Sequence, residues 1–85
     1  MFDIATTLNN RRRYLAILEA RPLRGKWKNV GLYSLRSRGT CVKLEGDCTL
    51  RGDVVAHMVS LYRLDAEMVV QLNGLQFRIS ELREY

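Results

Sequence analysis

The chain has 85 residues, of which 47% are hydrophobic and 27% are charged, and this composition is typical of one folded domain rather than of a disordered segment. No stretch approaches the ~20 consecutive apolar residues of a membrane-spanning helix, and the first residues lack the pattern of a signal peptide, so a soluble cytoplasmic protein is expected. The formal net charge of +5 at pH 7 favours an anionic partner over a cationic one.

The first predicted element is a helix over residues 1–21. Asp3 can cap its start and Pro22 blocks its continuation. At helical spacing, Arg11 falls among the apolar residues that share one face of this helix. Either its aliphatic stem lies along that apolar surface, or the helix begins at the cap residues Asn9 and Asn10. Four apolar residues share this face at helical spacing: Ile4, Leu8, Leu15 and Leu18.

After the proline, glycines separate short runs rich in Val, Leu, Thr, Tyr and Trp. Short runs with regular punctuation are typical of antiparallel strands. We therefore predict strands at Lys26–Ser37, Thr40–Leu44 and Cys48–Arg51.

Residues 53–64 fit two structures. Asp53 can cap a helix whose single face carries Val55, Met58, Val59 and Tyr62. The β-branched start and the Asp65-Ala66 turn suit a long strand instead. Of the two, we favour the strand.

The clearest strand pair comes last in the chain. Met68–Leu72 and Leu75–Ile79 flank the dipeptide Asn73-Gly74. Asn and Gly tolerate the positive φ that a type I′ turn requires, so the sequence predicts a β-hairpin with a two-residue turn.

Together these elements predict an α+β fold in a single domain over residues 1–85. An N-terminal helix precedes a small, strongly bent antiparallel sheet or barrel of five to six strands over residues 22–85, the outline of Sm-like, SH3-like and OB domains. Val42–Ala56 faintly resembles the glycine-punctuated strands of Sm-like proteins. Its glycine spacing differs from theirs and their Asp and Asn signature does not follow it, so we assign no family.

The two cysteines are predicted to be free thiols. A hairpin turning at Glu45 and Gly46 would not bring the sulfur atoms of Cys41 and Cys48 face to face. His57 is the one other soft ligand, and no Cys-x-x-Cys or His-x-x-x-His pair is present. No metal and no other cofactor is therefore expected.

The basic residues concentrate in the N-terminal half. Residues 1–43 contain ten basic and two acidic residues, whereas residues 44–85 contain four and seven. Lysine and arginine neutralise phosphates and release counterions, and an indole offers a face to an unpaired base. We predict a nucleic-acid-binding module that makes mainly phosphate contacts, through Arg11, Arg12, Arg13, Arg24, Lys26, Trp27, Lys28, Arg36 and Arg38.

An alternative function is a protein-binding adaptor or inhibitor that docks on an acidic protein partner or associates with itself as a homo-oligomer. Trp27 suits this alternative because a single tryptophan is more often a core residue than a stacking platform.

Enzymatic activity is not expected. His57 lies in an apolar run without an identifiable nucleophile, and the acidic residues lack the spacing of a catalytic pair.

Overall fold

The computed structural model describes residues 13–36 and 41–84. Five antiparallel strands form one sheet in the order β3-β2-β1-β5-β4, and one helix follows the third strand. The elements in chain order are β1 (Arg13–Pro22), β2 (Lys28–Arg36), β3 (Cys41–Gly46), α1 (Gly52–Arg63), β4 (Val70–Leu72) and β5 (Leu75–Glu84).

The core lies between α1 and one face of the sheet, which we call the inner face. Strand β1 is central, and every second residue from Tyr14 to Ala20 is buried, while those between them are half-buried on the outer face. Four further groups of side chains complete the core: Tyr33 and Leu35 from β2, Cys48 and Leu50 from the loop before α1, Val55, Met58 and Val59 from α1, and Phe77 and Ile79 from β5.

The prediction of a helix up to residue 21 is wrong over its described part, because Arg13–Pro22 is strand β1. The nearly continuous apolar run after Arg13 satisfies both the helical and the strand period. Neighbouring strands on both sides of β1 decide the outcome, since they pair its backbone groups along its length. The earlier part of the predicted helix, residues 1–12, lies outside the described residues.

The preference for a strand at residues 53–64 is also wrong. Gly52–Arg63 is a helix, and its buried residues are three of the four that the helical alternative placed on one face. The fourth, Tyr62, is 38% exposed. The apolar face of α1 is stable as a helix because the inner face of the sheet receives it.

The predicted strand at Cys48–Arg51 is absent, so the pairing expected across Glu45 and Gly46 does not form. Strand β3 pairs with β2 instead, and the chain then turns inward as irregular structure. The Cys48 amide donates to the Val30 carbonyl at 3.0 Å. This hydrogen bond holds the loop against β2, and Cys48 is buried in the core. Both cysteines are free thiols, as predicted.

The barrel is wrong as well. Strands β3 and β4 lie at opposite edges of the sheet and do not pair with each other, so the sheet is open. The stretch that resembles Sm-like strands contains β3, a loop and the first turn of α1. In the part of the chain that the structure describes, no helix has the length and apolarity to cross a membrane.

The C-terminal hairpin is confirmed. Strands β4 and β5 pair in the predicted register, with Leu72 opposite Leu75. Asn73 and Gly74 have φ values of 52° and 78°, which match the left-handed conformations of a type I′ turn. The strand predicted at Lys26–Ser37 is confirmed as β2.

Candidate anion-binding site

The structure separates the predicted binding residues into two groups at opposite ends of β1 and β2. Arg13 pairs with Arg36 at one end, whereas Arg24, Lys26 and Lys28 surround the turn at the other end. A ten-residue strand spans about 30 Å, so these groups do not form one continuous cluster. Three predicted residues lie outside the described ranges: Arg11, Arg12 and Arg38.

The turn between β1 and β2 presents three cations to solvent. Arg24, Lys26 and Lys28 are exposed, and none of their side chains makes a hydrogen bond or an ion pair with any described residue. We call these three residues the basic turn. The Gly25 amide donates to the Pro22 carbonyl at 2.9 Å and closes the turn. A Cβ atom at Gly25 would lie 2.4 Å from the Pro22 ring, so this conformation requires glycine.

A groove of about 470 Å³ runs beside the basic turn. Its apolar lining comes from Ala20, Pro22, Val30 and Leu75, and its basic lining from Arg21, Lys26 and Lys28. Two leucines near the groove are also open to solvent, with Leu23 59% exposed and Leu75 37% exposed. The groove therefore offers positive charge and apolar surface side by side.

Trp27 occupies neither of the positions expected from the sequence, because it is half-buried under two arginines. The guanidinium carbons of Arg21 and Arg78 lie 4.5 and 4.0 Å from the centre of the indole ring. Cation–π attraction holds these groups over the ring. Arg21 Nε donates to Gln76 Oε1 at 2.9 Å, and Arg78 Nε donates to Glu19 Oε1. These partners hold both arginines against the indole, which leaves less of the ring accessible to a base.

Arg21 and Arg78 also contribute to this site, and neither is among the binding residues predicted from the sequence. Arg21 borders the groove and covers Trp27, and Arg78 reaches the same ring from β5. Alternation along β1 places Arg21 on the same face as Glu19, but this signal is readable only once β1 is known to be a strand. The contribution of Arg78 depends on the pairing of β1 with β5, which no local pattern indicates.

The site offers charge and shape rather than reactive chemistry. His57 is exposed on α1, remote in sequence from the basic turn. Within residues 13–36 and 41–84, no three His, Cys, Asp or Glu side chains are grouped to hold a metal ion. Comparison with known proteins gives no match among family models, curated proteins or solved structures.

Proposed function

We propose that the protein binds nucleic acid through the basic turn, mainly by phosphate contacts. The observation that carries the proposal is the set of three exposed cations, Arg24, Lys26 and Lys28, that have no acidic partner among the described residues. Unpaired ammonium and guanidinium groups neutralise phosphates and release condensed counterions, which favours binding without an energetic cost for breaking an internal ion pair.

Base readout contributes little to this binding. Trp27 is covered by Arg21 and Arg78, so the single indole does not stack on a base while those contacts persist. Phosphate contacts fix position but carry no sequence information. We therefore expect similar affinity for nucleic acids of different sequence, at equal length and equal salt concentration.

An acidic protein surface is the second candidate partner. The lining of the groove combines Pro22, Val30 and Leu75 with lysines, which favours a ligand that combines carboxylates with apolar side chains. Protein interfaces commonly combine an apolar centre with a charged rim. This candidate is distinguished from nucleic acid by salt dependence at equilibrium, because a phosphate binder loses affinity steeply as salt rises.

The test is a salt titration of binding to a single-stranded oligonucleotide of about eight nucleotides, short enough to occupy one basic turn. Changing Lys26→Ala and Lys28→Ala together should weaken binding evenly across sequences. The slope of log affinity against log salt should become shallower by about 0.7 for each lost phosphate contact. Fluorescence anisotropy of a labelled oligonucleotide measures both quantities.

A matched control removes the same charge from the other end of the same strands. Arg13 and Arg36 are exposed on β1 and β2 and pair with each other in register. The double variant Arg13→Ala and Arg36→Ala should keep the wild-type slope. Equal losses in the two double variants would mean that net charge, not the basic turn, attracts the ligand. Failure of the wild type to bind at ~50 mM salt would overturn the nucleic-acid proposal and leave the acidic protein partner.

A further inference from the structure

The outer face of the sheet carries an apolar strip. Its five residues come from three adjacent strands: Leu15 and Ile17 of β1, Leu32 of β2, and Val42 and Leu44 of β3. Helix α1 packs on the inner face, and Val42 and Leu44 remain 52% and 53% exposed. One helix therefore covers one face of the sheet, and the strip on the other face retains apolar surface that a partner can bury.

Two grooves of nearly equal size border this strip and carry opposite charge. A groove of about 320 Å³ lies between Arg13 and Arg36 at one end, where Val42 and Leu44 also line it. A groove of about 330 Å³ at the other end is lined by Ile17, Leu32, Glu45 and Asp47, among other residues.

No residue of 13–36 or 41–84 neutralises the charges at the two ends of the strip. Arg13, Arg36, Glu45 and Asp47 are all exposed, and none forms an ion pair with another described residue. Among the described residues, the strip thus has two arginines without an acidic partner at one end and two carboxylates without a basic partner at the other. A surface that carries both signs at opposite ends is complementary to itself when one copy is reversed.

We propose that a second copy of this chain covers the strip, with its outer face against this one and its strands running in the opposite direction. In this two-fold arrangement the arginine groove of each copy lies over the carboxylate groove of the other. Arg36 meets Glu45 of the partner subunit, and the symmetry forms this contact twice. The apolar strips bury each other at the centre, about 10 Å separating the two sheets.

A second copy fits this face better than a nucleic acid does. Glu45 and Asp47 would repel phosphates at one end of the strip, and the apolar centre offers phosphates no partner. The reversed copy supplies a carboxylate for each arginine and an apolar side chain for each strip residue. The strip spans three of the five strands, so its contact area is small and we expect a dimer that dissociates in the micromolar range.

Sedimentation velocity from about 1 to about 200 µM protein tests the proposal, because this range brackets a micromolar dissociation constant. The wild type should shift from monomer to dimer as concentration rises. Arg36→Glu and Glu45→Arg should each abolish the shift from monomer to dimer. Either change places two like charges opposite each other in both of the Arg36–Glu45 contacts that the two-fold symmetry forms. The double variant that carries both changes should restore dimers, because the reversed pair attracts again.

Lys28→Glu is the matched control, because it makes the same charge change in the basic turn and should leave the dimer intact. The same control separates the two proposals: it should weaken binding of the oligonucleotide, whereas the charge-swapped double variant should not. A wild type that stays monomeric across the range would overturn the dimer. A double variant that stays monomeric while circular dichroism shows it folded would overturn the reversed arrangement. A strip covered by another segment of the same chain would give that monomeric result.

Discussion

The hydroxyl of Tyr33 connects the sheet to the loop that follows β3. Tyr33 is 2% exposed, and its hydroxyl donates to the Leu50 carbonyl at 3.0 Å. The loop before α1 does not belong to the sheet, so the Leu50 carbonyl has no partner from a neighbouring strand. The Tyr33 hydroxyl supplies a hydrogen bond to this buried carbonyl. Tyr33→Phe should lower the free energy of unfolding by about 1–3 kcal/mol, because the Leu50 carbonyl would lose its partner. Urea denaturation at pH 7 measures the change, and an unchanged midpoint would contradict the role of the contact.

Alkaline pH should lower the stability of the folded protein through Tyr33. Burial, followed by the contact with Cys48, raises the pKa of Tyr33 above its ordinary value. The folded protein therefore holds this proton more tightly than the unfolded chain does. The resulting stability is fully present below about pH 10 and is lost as the pH rises above it. Unfolding measured at intervals from pH 8 upward should show the advantage of wild type over Tyr33→Phe shrinking, and a constant difference would refute the linkage.

The two thiols should differ in reactivity for the same reason of burial. Burial raises the pKa of the half-buried Cys41, which lowers its thiolate fraction at neutral pH, and Cys48 is 3% exposed. Alkylation of Cys41 in the native protein should be slower than that of the amino acid cysteine in solution. The variant Cys41→Ser, which retains only Cys48, should barely react. In urea, Cys41 and Cys48 of the unfolded wild type should both be labelled rapidly. Fast native labelling of the serine variant would show that the loop containing Cys48 opens readily.

At the scale of elements, the hairpin isolates the cost of backbone conformation from that of packing. Gly74 has a φ of 78°, and a Cβ atom there would meet nothing within 4 Å. Gly74→Val should therefore lower stability by about 1 kcal/mol or more through backbone strain alone, because a β-branched residue disfavours left-handed φ. Gly74→Asn is the control, since asparagine tolerates this conformation and should stay close to wild type. Equal thermal midpoints for the valine variant and wild type would contradict this origin of the cost.

The success of the hairpin prediction and the failure of the helix prediction have one explanation in sequence distance. The Asn73-Gly74 turn is specified by its own two residues, so local reasoning finds it. The apolar run that becomes β1 fits two periods, and β5, its partner from the far end of the chain, helps to decide between them. The face of α1 was readable as a helical pattern, but the preference for helix over strand depends on the inner face of the sheet.

The candidate site divides in the same way. Charge alone picks out the cations of the basic turn, which are three of the nine residues that the sequence predicts for binding. Their separation from Arg13 and Arg36 follows from the antiparallel register of β1 and β2, which charge does not reveal. The covering of Trp27 depends on Arg78, held by Glu19 at a separation of 59 residues. Long-range pairing, not local propensity, therefore determines whether the indole is open to a ligand.

At the scale of the whole molecule, a small sheet with one helix gains stability from any partner that covers its second face. A ligand or subunit that binds only the folded state raises the apparent stability by mass action. The melting temperature of wild type should therefore rise as protein concentration increases from about 5 to about 200 µM, by a few degrees for each kcal/mol gained. Arg36→Glu should melt at a temperature independent of concentration, and the double variant with Glu45→Arg should regain the dependence. A wild-type midpoint that stays constant would mean that the outer face contributes no association energy, whatever the basic turn binds.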